Sequence, residues 1–279
     1  MSKKILALYG LKYNPFTPDI PIDALHSYPK LESFCWRIEQ SLLREGGFAL
    51  VNGDPGTGKS AALRFLSERL NRIRDVQVGM MSHTSARLTD FYRELGDIFS
   101  VPLSVSNRWG GFKSLRERWL AHVDSTLLRP VLFIDEAQEM SPEVLNELRL
   151  LISCQFDSRT LLSVILAGDH RLIDKLRRDD LLPLGSRIRV RLHTEQASIE
   201  QLVLTLEHLL ESAGNPGLMT KELMNTLCEH AAGNYRILCN MAGEILDMAA
   251  RLERTILDEQ LYFDCFASIT AANKRKKLD

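Results

Sequence analysis

The stretch LVNGDPGTGKS, residues 50–60, constrains what this chain can fold into more than any other. Gly53, Gly58, Lys59 and Ser60 satisfy the spacing G-x-x-x-x-G-K-[ST]. An apolar run, FALVN (48–52), leads into it, and a helix-forming run, KSAALRFLSERL, starts at its lysine. Strand, glycine-rich loop and helix in that order make a phosphate cradle. The glycines let the backbone curl until its N–H groups point inward, and the helix presents its positive end to the same spot. The expected contacts are Gly53, Asp54, Pro55, Gly56, Thr57, Gly58, Lys59, Ser60 and Ala61. Lys59 is placed to reach the β- and γ-phosphates, and Ser60 to ligate Mg²⁺.

The rest of the chain supplies the sheet such a loop needs. Apolar strands FALVN (48–52), VQVGMM (76–81), PVLFID (130–135), LLSVILAG (161–168) and IRVRLH (188–193) alternate with amphipathic helical stretches. Continuous apolar strands separated by helices predict a parallel sheet covered on both faces. The proline-rich first thirty residues read as extended or turning, and LESFCWRIEQSLLRE (31–45) as a helix. After about residue 196 only helical periodicity remains. The expected domains are therefore an N-terminal segment (1–30), an α/β core (31–195), a helical lid (196–268) and a basic tail (269–279).

Composition excludes several classes. The 279 residues carry 35 Lys+Arg against 36 Asp+Glu, so any contact with nucleic acid must rest on local patches. The five cysteines form no CxxC and no zinc-ligand spacing with histidine, which predicts reduced thiols. The longest apolar runs are far too short to cross a bilayer. Lys12 and Asn14 interrupt the opening apolar run, so no signal peptide is expected, and a cytoplasmic location is.

A phosphate cradle that hydrolyses its ligand needs acids at the end of a neighbouring strand. VLFIDEAQ provides Asp135, to hold Mg²⁺ through water, and Glu136, to orient and deprotonate the attacking water.

With these motifs in place the chain resembles the AAA+ ATPases, and among them the ExeA-type proteins and their TniB, TnsC and MuB-like relatives that regulate DNA transposition. YGLKYNPFTPD (9–19), DEAQEMSPEVLNELRLL (135–151) and LLSVILAGDHRLIDKLRRDDLLPLGSRIRVRLH carry the resemblance, which covers nearly the whole chain. It implies an AAA+ P-loop fold with a C-terminal helical lid, ATP and Mg²⁺ as cofactors, and a homo-oligomer built as a ring or helical spiral, hexameric per turn. It also implies roles for further residues. Asp169 stands where the family's water-polarising residue closes its strand, with His170 as an alternative, whereas ExeA-type relatives carry glutamine there. Arg187 matches the arginine finger that acts on a neighbouring subunit, with Arg189 and Arg191 as rivals. Arg236 matches the second sensor arginine. Pro15 and Phe16 would wall the adenine, or serve as ordinary core.

The resemblance leaves two functional classes. The first is an ATPase that assembles on duplex DNA without sequence preference and activates a transposase or selects its target. Arg87, after the second strand, and Arg108 and Lys113, interleaved with Trp109, Phe112 and Trp119, are the candidate phosphate contacts; the latter segment also reads as an amphipathic helix with a solvated basic face. The alternative is an ExeA-like secretion-associated ATPase acting in envelope assembly. Because the sequence stops shortly after the lid, with no span or wall-binding domain, the expectation favours the first class.

Overall fold

In the computed structural model, the structure describes residues 3–85, 87–102, 108–122, 124, 128–154 and 159–266. The expected basic tail (269–279) lies outside the described residues, as does the side chain of Arg108. The chain divides into two units, Ser27–Thr194 and Met1–His26 with Glu195–Asp279.

The first unit is built on a five-stranded parallel sheet, ordered β2-β3-β6-β1-β7. Its strands are β1 (Gly47–Gly53), β2 (Val76–Met81), β3 (Arg129–Ile134), β6 (Ser163–Gly168) and β7 (Ile188–Thr194). β4 (Ser153–Cys154) and β5 (Arg159–Thr160) form a separate two-residue antiparallel pair that apolar patterning is too short to announce. The central strands read as unbroken apolar runs because both faces are covered. Phe48, Leu50, Leu132, Ile134, Val164 and Leu166 enter one core layer, and Ala49, Val51, Val131, Phe133, Ile165 and Ala167 the other. Edge strand β7 is covered differently: Ile188, Val190 and Leu192 are buried, whereas Arg189, Arg191 and His193 face out.

The helices on these faces follow from their stripes. α4 (Lys59–Asn71) buries Ala62, Leu63, Leu66 and Leu70. α5 (Leu88–Phe99) and α6 (Arg108–Ala121) meet over Phe99 and the fully buried Trp119, whose rings pack edge to face. α7 (Pro142–Ile152) begins at Ser141, which caps Val144 N–H, and α8 (His170–Leu176) and the short α9 (Leu182–Gly185) lead into β7. The helix expected over 31–45 is α2 (Pro29–Arg37), a π turn (Ile38–Leu42) and α3 (Leu43–Glu45). Arg69 of α4 ties α2 and the π turn down through Glu32 (2.5 Å) and Glu39 (2.8 Å).

The second unit is helical: α10 (Ile199–Ala213), α11 (Lys221–Ala231) and α12 (Tyr235–Arg251). Each starts at a side-chain cap, Ser198, Thr220 and Asn234, and α10 also carries a reciprocal capping box with Gln201. The opening residues are not extended throughout. α1 (Lys3–Leu8) precedes the first proline, where nothing blocks helix formation, and a 3₁₀ turn spans Ile22–Ala24. Tyr9, Leu11 and Phe16 are buried in the same core as Leu202, Leu206, Leu210 and Leu238, so the opening segment folds as part of this unit. Among the described residues, no helix is long and apolar enough to cross a membrane.

Candidate active site

In a parallel sheet all strands end on one side, and here three of those ends converge. Asn52 of β1 lies beside Gly168 of β6, and Gly53 beside Thr194 of β7. The loop after β1 turns through two residues in the left-handed region, Gly56 (φ 82°) and Gly58 (φ 96°), a conformation that costs glycine nothing. Gly53 is required for another reason. A Cβ there would stand 2.1 Å from Thr194 Oγ1 and 2.3 Å from Thr194 O.

Hydrogen bonds fix the loop from within. Thr57, which is buried, shares a hydroxyl bond with Thr194 (2.7 Å) and donates to Asp54 O (2.8 Å). Lys59 is also buried, and its ammonium donates to Gly53 O (2.9 Å) and Asp54 O (3.1 Å). Ser60, in the first turn of α4, donates its hydroxyl to Asp135 Oδ2 (2.9 Å). Asp135 Oδ1 accepts the backbone N–H of Glu136 (2.9 Å). The structure thus brings the loop, Lys59, Ser60, Asp135 and Glu136 together, as the sequence spacing implied. A hydroxyl beside a carboxylate is the hard oxygen donor set that Mg²⁺ accepts, and a buried ammonium in a glycine-rich loop at a helix N-terminus fits a polyphosphate.

Glu136 is exposed and holds a left-handed backbone (φ 51°), a strained conformation for a residue with a Cβ. Its Oε2 accepts from Gln138 Nε2. Gln138 is buried, and its Oε1 accepts Asp169 N–H (3.3 Å). Reading the sequence passed over Gln138; its place two residues beyond the acidic pair was the available signal. Thr194 was passed over too, because nothing in its neighbourhood marks it as a partner of Thr57.

Asp169 does close β6, but its carboxylate is engaged locally. Oδ1 caps α8 through Arg171 N–H (2.9 Å), and Oδ2 accepts Arg171 Nε (2.9 Å). Burial works to raise its pKa, yet the hydrogen bonds and charge of Arg171 outweigh it and hold the carboxyl below its ordinary value. A carboxylate so paired stays ionised, which suits a helix cap.

The three rival arginines are distinguished by their partners. Arg187 Nη1 donates to Pro183 O, Arg189 pairs with Glu45, and Arg191 Nη2 donates to Gly185 O (3.2 Å). Arg236 is exposed on the first turn of α12 in the helical unit. Pro15 and Phe16 are both buried in that unit, and Phe16 is a member of its apolar core.

Of the candidate DNA contacts, Arg87 is exposed at the start of α5, and Lys113 is exposed beside Glu117 (3.7 Å). Trp109 is 73% exposed and stacks on Phe112 with ring centroids 5.8 Å apart. Arg116, from the same basic stretch, turns inward. It donates to Leu150 O (3.1 Å) and Ser153 O, closing the C-terminal end of α7.

The sheet order, the loop and the acidic pair are those of a P-loop nucleotide-binding fold, similar to that of AAA domains. A family model described as an AAA domain matches residues 42–176. The chain is 28% identical over 235 residues to General secretion pathway protein A of Aeromonas hydrophila, covering 82% of this chain and 42% of that protein. It thus spans less than half the length of that relative. Among solved structures it is similar to the ORC2 protein of Aeropyrum pernix in its ADPNP–ADP complexes, with TM-score 0.72, 17% identity, and coverage of 92% of this chain and 72% of that one. It is similar also to Drosophila ORC bound to DNA, with TM-score 0.73, 16% identity, and coverage of 99% and 68%.

Proposed function

We propose that this chain is the ATP-hydrolysing module of an envelope secretion system, of the kind represented by General secretion pathway protein A. The observation that carries this reading is the 235-residue match to that protein, which runs across most of this chain. It reverses the order expected from the sequence, which placed transposition first on the strength of where the chain stops. A second reading, as a duplex-DNA-binding regulator of transposition, keeps one specific support. The exposed Trp109 stacks on the half-buried Phe112, with the exposed Lys113 next in sequence, a combination suited to nucleic acid.

The chemistry is common to both readings. The loop N–H groups and Lys59 hold the β- and γ-phosphates and neutralise charge that grows as the terminal phosphoryl leaves. Ser60 and Asp135 would hold Mg²⁺, which would supply positive charge against the phosphates. Glu136 takes a proton from the attacking water. In this proposal Arg187 completes the site of a neighbouring copy in a homo-oligomer, Arg236 contacts the γ-phosphate from the helical unit, and Asp169 shapes the site through α8.

Turnover and binding test the reading separately. Lys59→Ala should weaken nucleotide binding, since charge-assisted contacts of about 1.5–3 kcal/mol each are removed. Glu136→Gln should bind ATP and stop hydrolysing it; native turnover in this variant would remove Glu136 from the mechanism. ATP-dependent binding to duplex DNA at low salt, with a steep salt dependence lost in Arg87→Ala/Lys113→Ala, would put the transposition reading first. Absence of duplex affinity in assemblies that hydrolyse ATP leaves the secretion reading in place.

A further inference from the structure

Gln138 occupies a position between two strand ends that the ATPase chemistry outlined above does not use. Its backbone lies in the turn after β3, two residues beyond Glu136. Its side chain is 5% exposed and bonded at both ends, Nε2 to Glu136 Oε2 and Oε1 to Asp169 N–H at the end of β6. These partners decide the orientation of the amide. Reversed, it would set an oxygen against a carboxylate and an NH₂ against an N–H.

The surroundings are built to this side chain. A Cβ on Gly168 would stand 2.4 Å from Gln138 Oε1, so only glycine leaves the amide its place. The main chain at Gln138 is pinned as well. Lys175 Nζ, reaching back from α8, donates to Gln138 O and to Met140 O (2.7 Å). Thus α8 and β6 hold Gln138 from two directions, and Gln138 holds Glu136. Glu136 itself sits on a strained left-handed backbone at an exposed turn. Among the described residues, no hydrogen bond is made to its Oε1.

We infer that Gln138 is a positioning residue for hydrolysis: its amide ties the carboxylate of Glu136 to the end of β6, fixing one oxygen and leaving the other to receive the proton of the attacking water. A carboxylate on a turn would otherwise sample several rotamers, and a general base contributes only from within hydrogen-bond reach of its proton. Displacement of such a group by about 1 Å can cost on the order of 100-fold in rate. This inference rests on Glu136 being the base, and the experiment separates the two claims.

The variants are Q138E and Q138M, assayed in the full chain beside E136Q. Q138E keeps the length, the volume and an acceptor for Asp169 N–H, but loses the donor toward Glu136. Q138M keeps only the volume. Both should bind ATP with KM within about twofold of native while kcat falls roughly 10- to 100-fold, the size expected for a misaimed base. A structural role would give another pattern, with kcat in each variant falling only as far as its melting temperature does. Native kcat in Q138E, with E136Q inactive, overturns the inference. Native kcat in E136Q overturns the assignment of the base instead. Should Q138M fail to fold, Q138L takes its place, since it too removes both ends of the amide without adding charge against Glu136.

Discussion

Asp169 ends β6 with one oxygen on the backbone of α8 and the other on a guanidinium, so its first duty is to start a helix. Replacing it by alanine should cost about 1 kcal/mol, the usual worth of such a cap, whereas Asp169→Asn should keep the cap and lose only the pair with Arg171. Thermal melts of the two variants check this. The depressed carboxyl also sets a pH window. Its contribution to stability is complete above the unfolded value of about 4 and is lost as pH falls through the lower folded value, so acid melts of the native chain should decline more steeply than those of Asp169→Asn below about pH 4. His26 works in the other direction on the pH scale. Burial, then the neighbouring His208, lowers its pKa, so the unfolded chain takes up the proton first. Stability from this residue is full above about pH 6.5 and declines as pH falls below that value.

At the scale of elements, Arg116 and Lys113 lie one helical turn apart on α6 and do different things. Arg116 closes α7 through its last carbonyls, so Arg116→Ala should lower the melting temperature, by an amount matching about 1–2 kcal/mol for a lost charged hydrogen bond. Lys113→Ala, which removes an exposed pair with Glu117, should leave it within about 0.5 kcal/mol of native. Charge counting along SNRWGGFKSLRERW treats these residues as equals, because nothing local says where a helix C-terminus will arrive. The strands were legible for the opposite reason. A strand buried on both faces must be apolar throughout, and VQVGMM emerged with the bounds that its composition suggested, Val76–Met81. The loop, Lys59, Ser60 and the Asp135–Glu136 pair were legible because their spacing is local to single strand–loop units. Gln138, Thr194 and the duty of Asp169 were not, since each depends on which strand ends become neighbours. Helix α1 was hidden by the prolines that follow it.

At the scale of the whole molecule, Cys35 and Cys228 are buried and Cys239 is half-buried. Burial pushes the thiols of Cys35 and Cys228 up to about 12 and that of Cys239 up to about 11. Thiol-directed labelling at neutral pH should therefore bypass these three until the chain unfolds, which mass spectrometry of labelled peptides can establish. If copies share active sites, as proposed for Arg187, a mixture of Arg187→Ala and Lys59→Ala proteins should regain hydrolysis that neither has alone; co-assembled proteins with no recovery at any ratio would remove Arg187 from that role. The hydroxyl bond between Thr57 and Thr194 joins residues 137 positions apart. β1 pairs with no strand near it in sequence, only with β6 and β7. Closure of so long a loop makes this pairing a late and slow event in folding. During synthesis the P-loop must wait, without its neighbour β7, until Thr194 has left the ribosome. Nascent chains halted with β7 still in the exit tunnel should gain no protease protection from ATP, and those released beyond it should gain it, so that nucleotide capture marks the completion of this unit.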